Sequence, residues 1–373
     1  MSNSTMLSST KFFSFLIVFP LLCIAFSAKE TICPFEYIYQ FGDSLADTGN
    51  RIRQVNVTSV FNISSLPYGI TYFHKPTGRF SNGLLVIDFI AKSLHLPLLH
   101  PYLEKNASFS HGANFAVGGS TALNNPFFAK RNISVPSSNI PLSKQLRWFK
   151  KHLNSVSNNR AQQRRRLRKA LIMMGEIGGN DFNKAFFRGK SIEESKTYVP
   201  FVIEAISHVI REVIRLGAVH IIVPGNLPIG CNPAYLTAFS ISDPKAYDDK
   251  GCLRGFNAFV SFYNMYLQRA LKSLRLEFPD VDILYVDYYK AFEYVLGNAR
   301  HLGFDQKSLL KACCGSGGKY NYNEKKICAS NGVKACPNPA KFIHWDGVHL
   351  TQETYRYISE YLIRNVLSKI ECL

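Results

Sequence analysis

Five short apolar runs, separated by stretches with helical spacing, constrain this chain more than any other feature of its sequence. The runs are "YIYQF" (Tyr37 to Phe41), "ANFAVGG" (Ala113 to Gly119), "ALIMMGE" (Ala170 to Glu176), "HIIVPG" (His220 to Gly225) and "VDILYVDYY" (Val281 to Tyr289). Between and after them, apolar residues recur at helical spacing over Leu84 to Leu94, Ser143 to Leu153, Tyr198 to Leu216, Phe256 to Phe278 and Thr351 to Ile370. Gly217 reads as the stop of the third of these helices and Thr351 as the N-cap of the last. Alternating strands and helices imply an α/β fold, with a parallel sheet covered by helices on both faces. No internal repeat and no low-complexity linker interrupts the pattern.

In such a sheet the active crevice lies beyond the carboxyl ends of the strands. Ser44 sits there, in "QFGDSLADTGN", three residues after the first strand, with Gly42 supplying a turn free of side-chain clash. A serine hydroxyl is a weak nucleophile without a base in hydrogen-bond reach, and an isolated serine at this place is more often a helix N-cap. The candidate base is His349 in "HWDGVHLTQ", and Asp346 three residues earlier can orient its imidazole. That pair, taken alone, also suits a turn that caps the last helix. Donors for a developing oxyanion can come from the Ser44 N–H, the glycines of "NFAVGGST" and Asn180 of "GGND". Each motif by itself also suits an ordinary glycine-rich turn. Their occurrence together, all at strand ends, points to a nucleophile, base, orienting acid and oxyanion donors in one crevice. No G-x-S-x-G elbow occurs, which disfavours the usual α/β-hydrolase arrangement.

The N-terminus reads as a secretory signal. Lys11 precedes the apolar run from Phe12 to Phe26, Pro20 interrupts that run, and Ala25 and Ser27 suit cleavage near residue 27. The run is shorter than the roughly 20 residues of a membrane-spanning helix, so no transmembrane anchor is expected, and residues 28–373 read as a single domain. Cys23 leaves with the signal. The remaining Cys33, Cys231, Cys252, Cys313, Cys314, Cys328, Cys336 and Cys372 are even in number and fit no common zinc spacing, so disulfides are expected, Cys231 to Cys252 being one plausible local loop. Asn56, Asn62, Asn106 and Asn132 are glycosylation sequons. The formal charge is +18, and its densest run, Arg160 to Leu171, lacks the aromatic interleaving of a nucleic-acid surface; it reads as a solvated face with Leu167, Ala170 and Leu171 at its buried edge. No nucleic-acid partner is expected.

With these blocks in order from Cys33 to Cys372, the chain resembles the GDSL esterase/lipase family, the SGNH hydrolases, in its plant secreted branch. The likeness is carried by "ICPFEYIYQFGDSLADTGN", "KPTGRFSNG", "LPLLHPYL", "VPGNLPIGC" and "NPAKFIHWDGVHLT". It implies a three-layer α/β/α, flavodoxin-like architecture with a five-stranded parallel sheet. It implies Ser44, Asp346 and His349 as catalytic residues, and Ser44, Gly119 and Asn180 as the oxyanion hole. It also implies no metal, no organic cofactor, and a short-acyl ester of a small specialised metabolite such as an alkaloid as substrate, met in the apoplast or the vacuole. Relatives often carry Arg where Leu84 follows "GRFSNG" here. An acyltransferase would use the same Ser44 acyl-enzyme with an alcohol in place of water. A silent carbohydrate- or wall-binding protein would draw on the positive charge and the sequons, and the intact triad argues against it.

Overall fold

The computed structural model describes residue 1, residues 34–54 and residues 61–370. The signal segment, Cys23, Cys33, Cys372 and the Asn56 sequon lie outside the described residues. The described residues from 34 onward belong to one compact unit.

Each expected strand is present. They are β1 (Tyr37–Phe41), β2 (Gly112–Asn114), β3 (Ala170–Met174), β4 (His220–Pro224) and β5 (Asp282–Val286). All pair in parallel, in the order β2-β1-β3-β4-β5. The helices are α1 (Val86–Ser93), α2 (Asn125–Ala129), α3 (Leu142–Val156), α4 (Arg160–Arg168), α5 (Gly179–Phe186), α6 (Ile192–Lys196), α7 (Val199–Leu216), α8 (Pro233–Ala238), α9 (Arg254–Glu277), α10 (Tyr288–Gly297) and α11 (Gln352–Asn365).

Strands buried on both faces are apolar at nearly every position. The exceptions in β1, β3 and β4 are Gln40, which donates to the Gly175 carbonyl, and His220, which faces Asp282. The period-two geometry sorts the apolar side chains into two cores. Tyr39, Phe41, Ile172, Met174 and Ile221 pack with α3, α5, α7 and α9. Ile38, Leu171, Met173 and Ile222 pack with α1, α10 and α11. The molecule is therefore a three-layer α/β/α sandwich. From β1 the chain passes to β2 on one side and afterwards to β3 on the other. The turn after β1 thus opens at the point where strand order reverses, the crevice such sheets use for ligands.

Five expectations need correction. β3 ends at Met174 and does not run on to Glu176, since Gly175 turns the backbone with φ +119°. β2 ends at Asn114 and does not run on to Gly119: the Phe115 and Val117 N–H groups still donate to the Gln40 and Gly42 carbonyls, but the Ala116 N–H is taken by the Asn114 side chain, which also bonds the Ala46 carbonyl. β5 ends at Val286, since the Asp287 side chain caps α10 by accepting the Lys290 N–H. The last helix stops at Asn365, short of Ile370, with Thr351 as its N-cap, the Thr351 hydroxyl accepting from the Thr354 N–H. The basic run forms α4, with Leu167 buried. Arg166 is not part of a solvated face: its guanidinium lies 3.8 Å from the Tyr37 ring centroid and donates to the Tyr39 hydroxyl and to the Phe109 carbonyl.

Six cysteines pair as Cys231–Cys252, Cys313–Cys336 and Cys314–Cys328. The four in the glycine-rich cluster are thus cross-links and not zinc ligands. Among the described residues no helix is long and apolar enough to cross a membrane.

Candidate active site

The turn after β1 is built to present one hydroxyl. Gly42 has φ +141°, and a Cβ there would meet the Glu176 carbonyl at 2.8 Å, so only glycine fits. Gln145 of α3 clamps the same peptide: Gly42 N–H donates to its Oε1 at 2.9 Å and its Nε2 donates to the Gly42 carbonyl at 2.8 Å. Asp43 accepts the Leu45 N–H at 3.0 Å. Asp47 accepts N–H groups of Gly49, Asn50, Arg51 and Gly118, which ties the turn to the loop after β2. Burial raises the Asp47 carboxyl to about 6 against those four N–H groups.

Ser44 faces a base delivered from the other end of the chain. Its Oγ lies 2.9 Å from His349 Nε2. His349 Nδ1 lies 2.7 Å from Asp346 Oδ2 and 2.9 Å from Oδ1. Asp346 Oδ1 also accepts the Val348 and His349 N–H groups, so the acid and its imidazole share one tight loop. The imidazole is packed against two adjoining rings, Phe80 at 4.7 Å between centroids and Phe61 at 5.2 Å. Ser44 is 8% exposed, His349 2% and Asp346 0%. Burial alone would raise the Asp346 carboxyl, but the facing His349, its N–H groups and the Tyr68 hydroxyl outweigh it and hold the group below the usual carboxylate range.

Tyr68 is a participant that the sequence did not mark. Its buried hydroxyl donates at 2.8 Å to Asp346 Oδ2, the same oxygen that faces His349 Nδ1. The only local signal is the Leu-Pro-Tyr-Gly turn in which it stands. The loop that carries the acid is braced by the disulfide cluster: Cys313 N–H donates to the His344 carbonyl at 2.9 Å and Cys314 N–H to the Trp345 carbonyl at 2.7 Å.

The expected oxyanion donors surround the same turn. Neither Ser44 N–H nor Gly119 N–H has a hydrogen-bond partner among the described residues. Gly119 has φ +79° and open space where a Cβ would stand. Its carbonyl accepts from Lys184 Nζ of α5 at 2.7 Å. Asn180, in the first turn of α5, donates Nδ2–H to Asp43 Oδ2 at 2.7 Å, beside Ser44. Burial lowers the Lys184 ammonium to about 8, against the opposing pull of Asp181 and Asp43. Asp181 is raised to about 7 by burial, although it accepts the Ala122 and Leu123 N–H groups.

All five residues singled out in the sequence therefore converge on one crevice. Gln145, Glu176 and Tyr68 join them as buried polar neighbours, with Lys184 half-buried beside them. An activated hydroxyl beside unpaired N–H donors suits acyl transfer. The sequons Asn62, Asn106 and Asn132 are exposed.

Residues 38–362 match the family described as GDSL-like lipase/acylhydrolase. Acetylajmalan esterase 1 of Rauvolfia serpentina is 47% identical over 360 residues, which cover 96% of this chain and 94% of that protein. Acetylajmalan esterase of the same plant is 46% identical over 356 residues, covering 95% and 92%. A GDSL esterase/lipase of Arabidopsis thaliana is 46% identical over 366 residues, covering 98% and 99%.

Proposed function

The chain belongs to the GDSL-like lipase/acylhydrolase family and is a carboxylic ester hydrolase, and from that premise we propose that it removes a short acyl group, acetyl first among them, from a small plant metabolite through a Ser44 acyl-enzyme. One observation carries the mechanism: the unbroken line from Ser44 Oγ through His349 to Asp346, with contacts of 2.9 and 2.7 Å.

His349 Nε2 takes the Ser44 proton as Oγ attacks the ester carbonyl. Asp346, held ionised by its four hydrogen-bond donors, stabilises the imidazolium and fixes which nitrogen faces serine. The tetrahedral oxyanion is met by the Ser44 and Gly119 N–H groups and by the Asn180 amide. The imidazolium returns its proton to the departing alcohol. Water then adds to the acyl-enzyme with the same histidine as base, and the acid leaves. The Phe61 and Phe80 rings exclude water from the imidazole, which strengthens each of these contacts.

Two relatives carry acetylajmalan in their names, and this supports an acetyl ester of a small specialised metabolite, with alkaloid esters the first to assay. The N-terminal apolar run, the exposed sequons and three disulfides support a glycosylated protein of the secretory pathway. The test uses the secreted protein and Ser44→Ala with a fluorophosphonate probe and p-nitrophenyl acetate. Labelling and hydrolysis are expected in the first and absent in the second. A folded wild type that neither labels nor hydrolyses overturns the reading.

A further inference from the structure

Glu176 has no part in the chemistry above, yet it is a buried acid beside the turn that carries the nucleophile. It is 5% exposed and Asp43 is 3% exposed. The two carboxyl groups face one another within hydrogen-bond reach, and the Asp43 N–H also donates to the Glu176 carbonyl at 3.2 Å. The cavity beside them, lined by Glu176, Gln40, Leu45, Tyr288 and Tyr355, has a volume of about 10 Å³, barely one water. Two ionised carboxylates cannot face each other in such a place, so one proton is shared between them.

The hydrogen bonds decide where that proton resides. Asp43 accepts two N–H groups, from Leu45 on Oδ1 and from Asn180 on Oδ2. Glu176 accepts one, from Gly179. The negative charge is better held at Asp43, and the proton belongs to Glu176. Burial, and then the facing Asp43, push the Glu176 carboxyl well above the usual carboxylate range.

An ionised Asp43 can only accept. It therefore selects the orientation of Asn180 in which the NH2 group, not the carbonyl oxygen, faces the nucleophile turn. One amide hydrogen goes to Asp43 and the second remains for substrate. A neutral Asp43 could instead donate to the Asn180 oxygen and turn the amide over. We propose that Glu176 is a positioning residue for the oxyanion hole: as the acid of a buried acid–carboxylate pair it donates to Asp43, keeps it an acceptor, and through it aims the Asn180 amide at the acyl oxygen. This rests on the reading of Asn180 as an oxyanion donor.

The other titratable groups around the pair are Asp181 and Lys184 on α5, Tyr263 on α9, Tyr288 on α10, Tyr355 on α11 and His349. The Tyr263 hydroxyl is committed to the Ile177 carbonyl and Lys184 donates to the Gly119 carbonyl; among the described residues the N–H donors on the Asp43 carboxyl are Leu45 and Asn180, and none of these tyrosines nor Lys184 bonds it.

The test compares wild type, Glu176→Leu and Glu176→Gln with p-nitrophenyl acetate, after thermal unfolding has shown each to be folded. Glu176→Leu removes the donor, and kcat is expected to fall by about 10- to 100-fold, the worth of a lost hydrogen bond to a charged group, with KM little changed. The Glu176→Gln amide donates as the acid does and is expected to restore at least about a tenfold of that loss. It cannot ionise, so an alkaline fall in kcat caused by loss of the shared proton is expected in wild type and absent from Glu176→Gln, while Lys184 titrates in both. This comparison stands even where Glu176→Leu does not fold. Equal kcat in all three proteins, or a Gln variant as impaired as Leu, or identical alkaline limbs in wild type and Gln, overturns the role of Glu176 while Ser44-dependent hydrolysis survives. A wild type without Ser44-dependent turnover overturns the functional reading and this proposal with it.

Discussion

Replacing Tyr68 by phenylalanine removes one hydroxyl from the buried side of Asp346 and little else. The hydroxyl donates to Oδ2 at 2.8 Å, and the ring is fully buried against Trp345, so the space around it is unchanged. Asp346 keeps the Val348 and His349 N–H groups and the imidazole. A hydrogen bond to a charged group contributes about 1.5–3 kcal/mol, and a loss of that size is expected in urea unfolding at pH 7. The pH dependence has a fixed sign. The folded Asp346 carboxyl lies below its unfolded value, so its contribution to stability is full above the unfolded pKa of about 3.9 and is lost as pH falls through the folded value. Tyr68 supports that depression. The Tyr68→Phe deficit is therefore largest at neutral pH and closes in acid. A double-mutant cycle with Asp346→Asn should return a coupling of similar size. A deficit that does not shrink as pH is lowered toward acid unfolding, or strict additivity in the cycle, refutes the argument and leaves only lost packing.

Asn180→Ala is expected to lower kcat for p-nitrophenyl acetate by about 100- to 1,000-fold with a small change in KM, because an oxyanion donor acts mainly in the transition state; a change confined to KM would contradict the assignment. Asp181 has a folded carboxyl raised to about 7, so its contribution to stability is full below the unfolded pKa of about 3.9 and declines as pH rises through the folded value. Wild type should therefore lose stability relative to Asp181→Asn between about pH 4 and 7, read as urea midpoints across that range, and a difference that is flat with pH would sink the claim.

The parts of this molecule that were legible in the sequence are those with a local cause. Strands buried on both faces are apolar at nearly every position, so β1, β3 and β4 start where their runs start. Gly217, with φ +119°, ends α7 as a left-handed glycine should. Ser44, Gly119 and Asn180 were legible because strand ends are where such a sheet binds ligands, and Asp346 and His349 because three residues join acid to base. Tyr68, Gln145, Glu176 and Lys184 were not. Each acts through partners far along the chain, such as Gln145 on Gly42 at a separation of 103 residues or Tyr68 on Asp346 at 278. No periodicity encodes a pairing of that kind. The early end of β2 was hidden for the same reason, since the Ala46 carbonyl that captures the Asn114 side chain lies 68 residues away.

The contact between Ser44 and His349 spans 305 residues of chain. At ordinary rates of synthesis the histidine follows the serine by roughly 15 to 60 s. During that interval β1 and its turn can exist while the hydroxyl has no base. The cysteines of the two bracing disulfides emerge late in that interval, and the packing of α11 comes after it. On the proposed mechanism turnover is thus a report on completion of the polypeptide: no acyl-enzyme is expected on a nascent chain that lacks His349, and the rate at which hydrolysis appears in refolding is expected to follow docking of the His349 loop rather than collapse of the sheet.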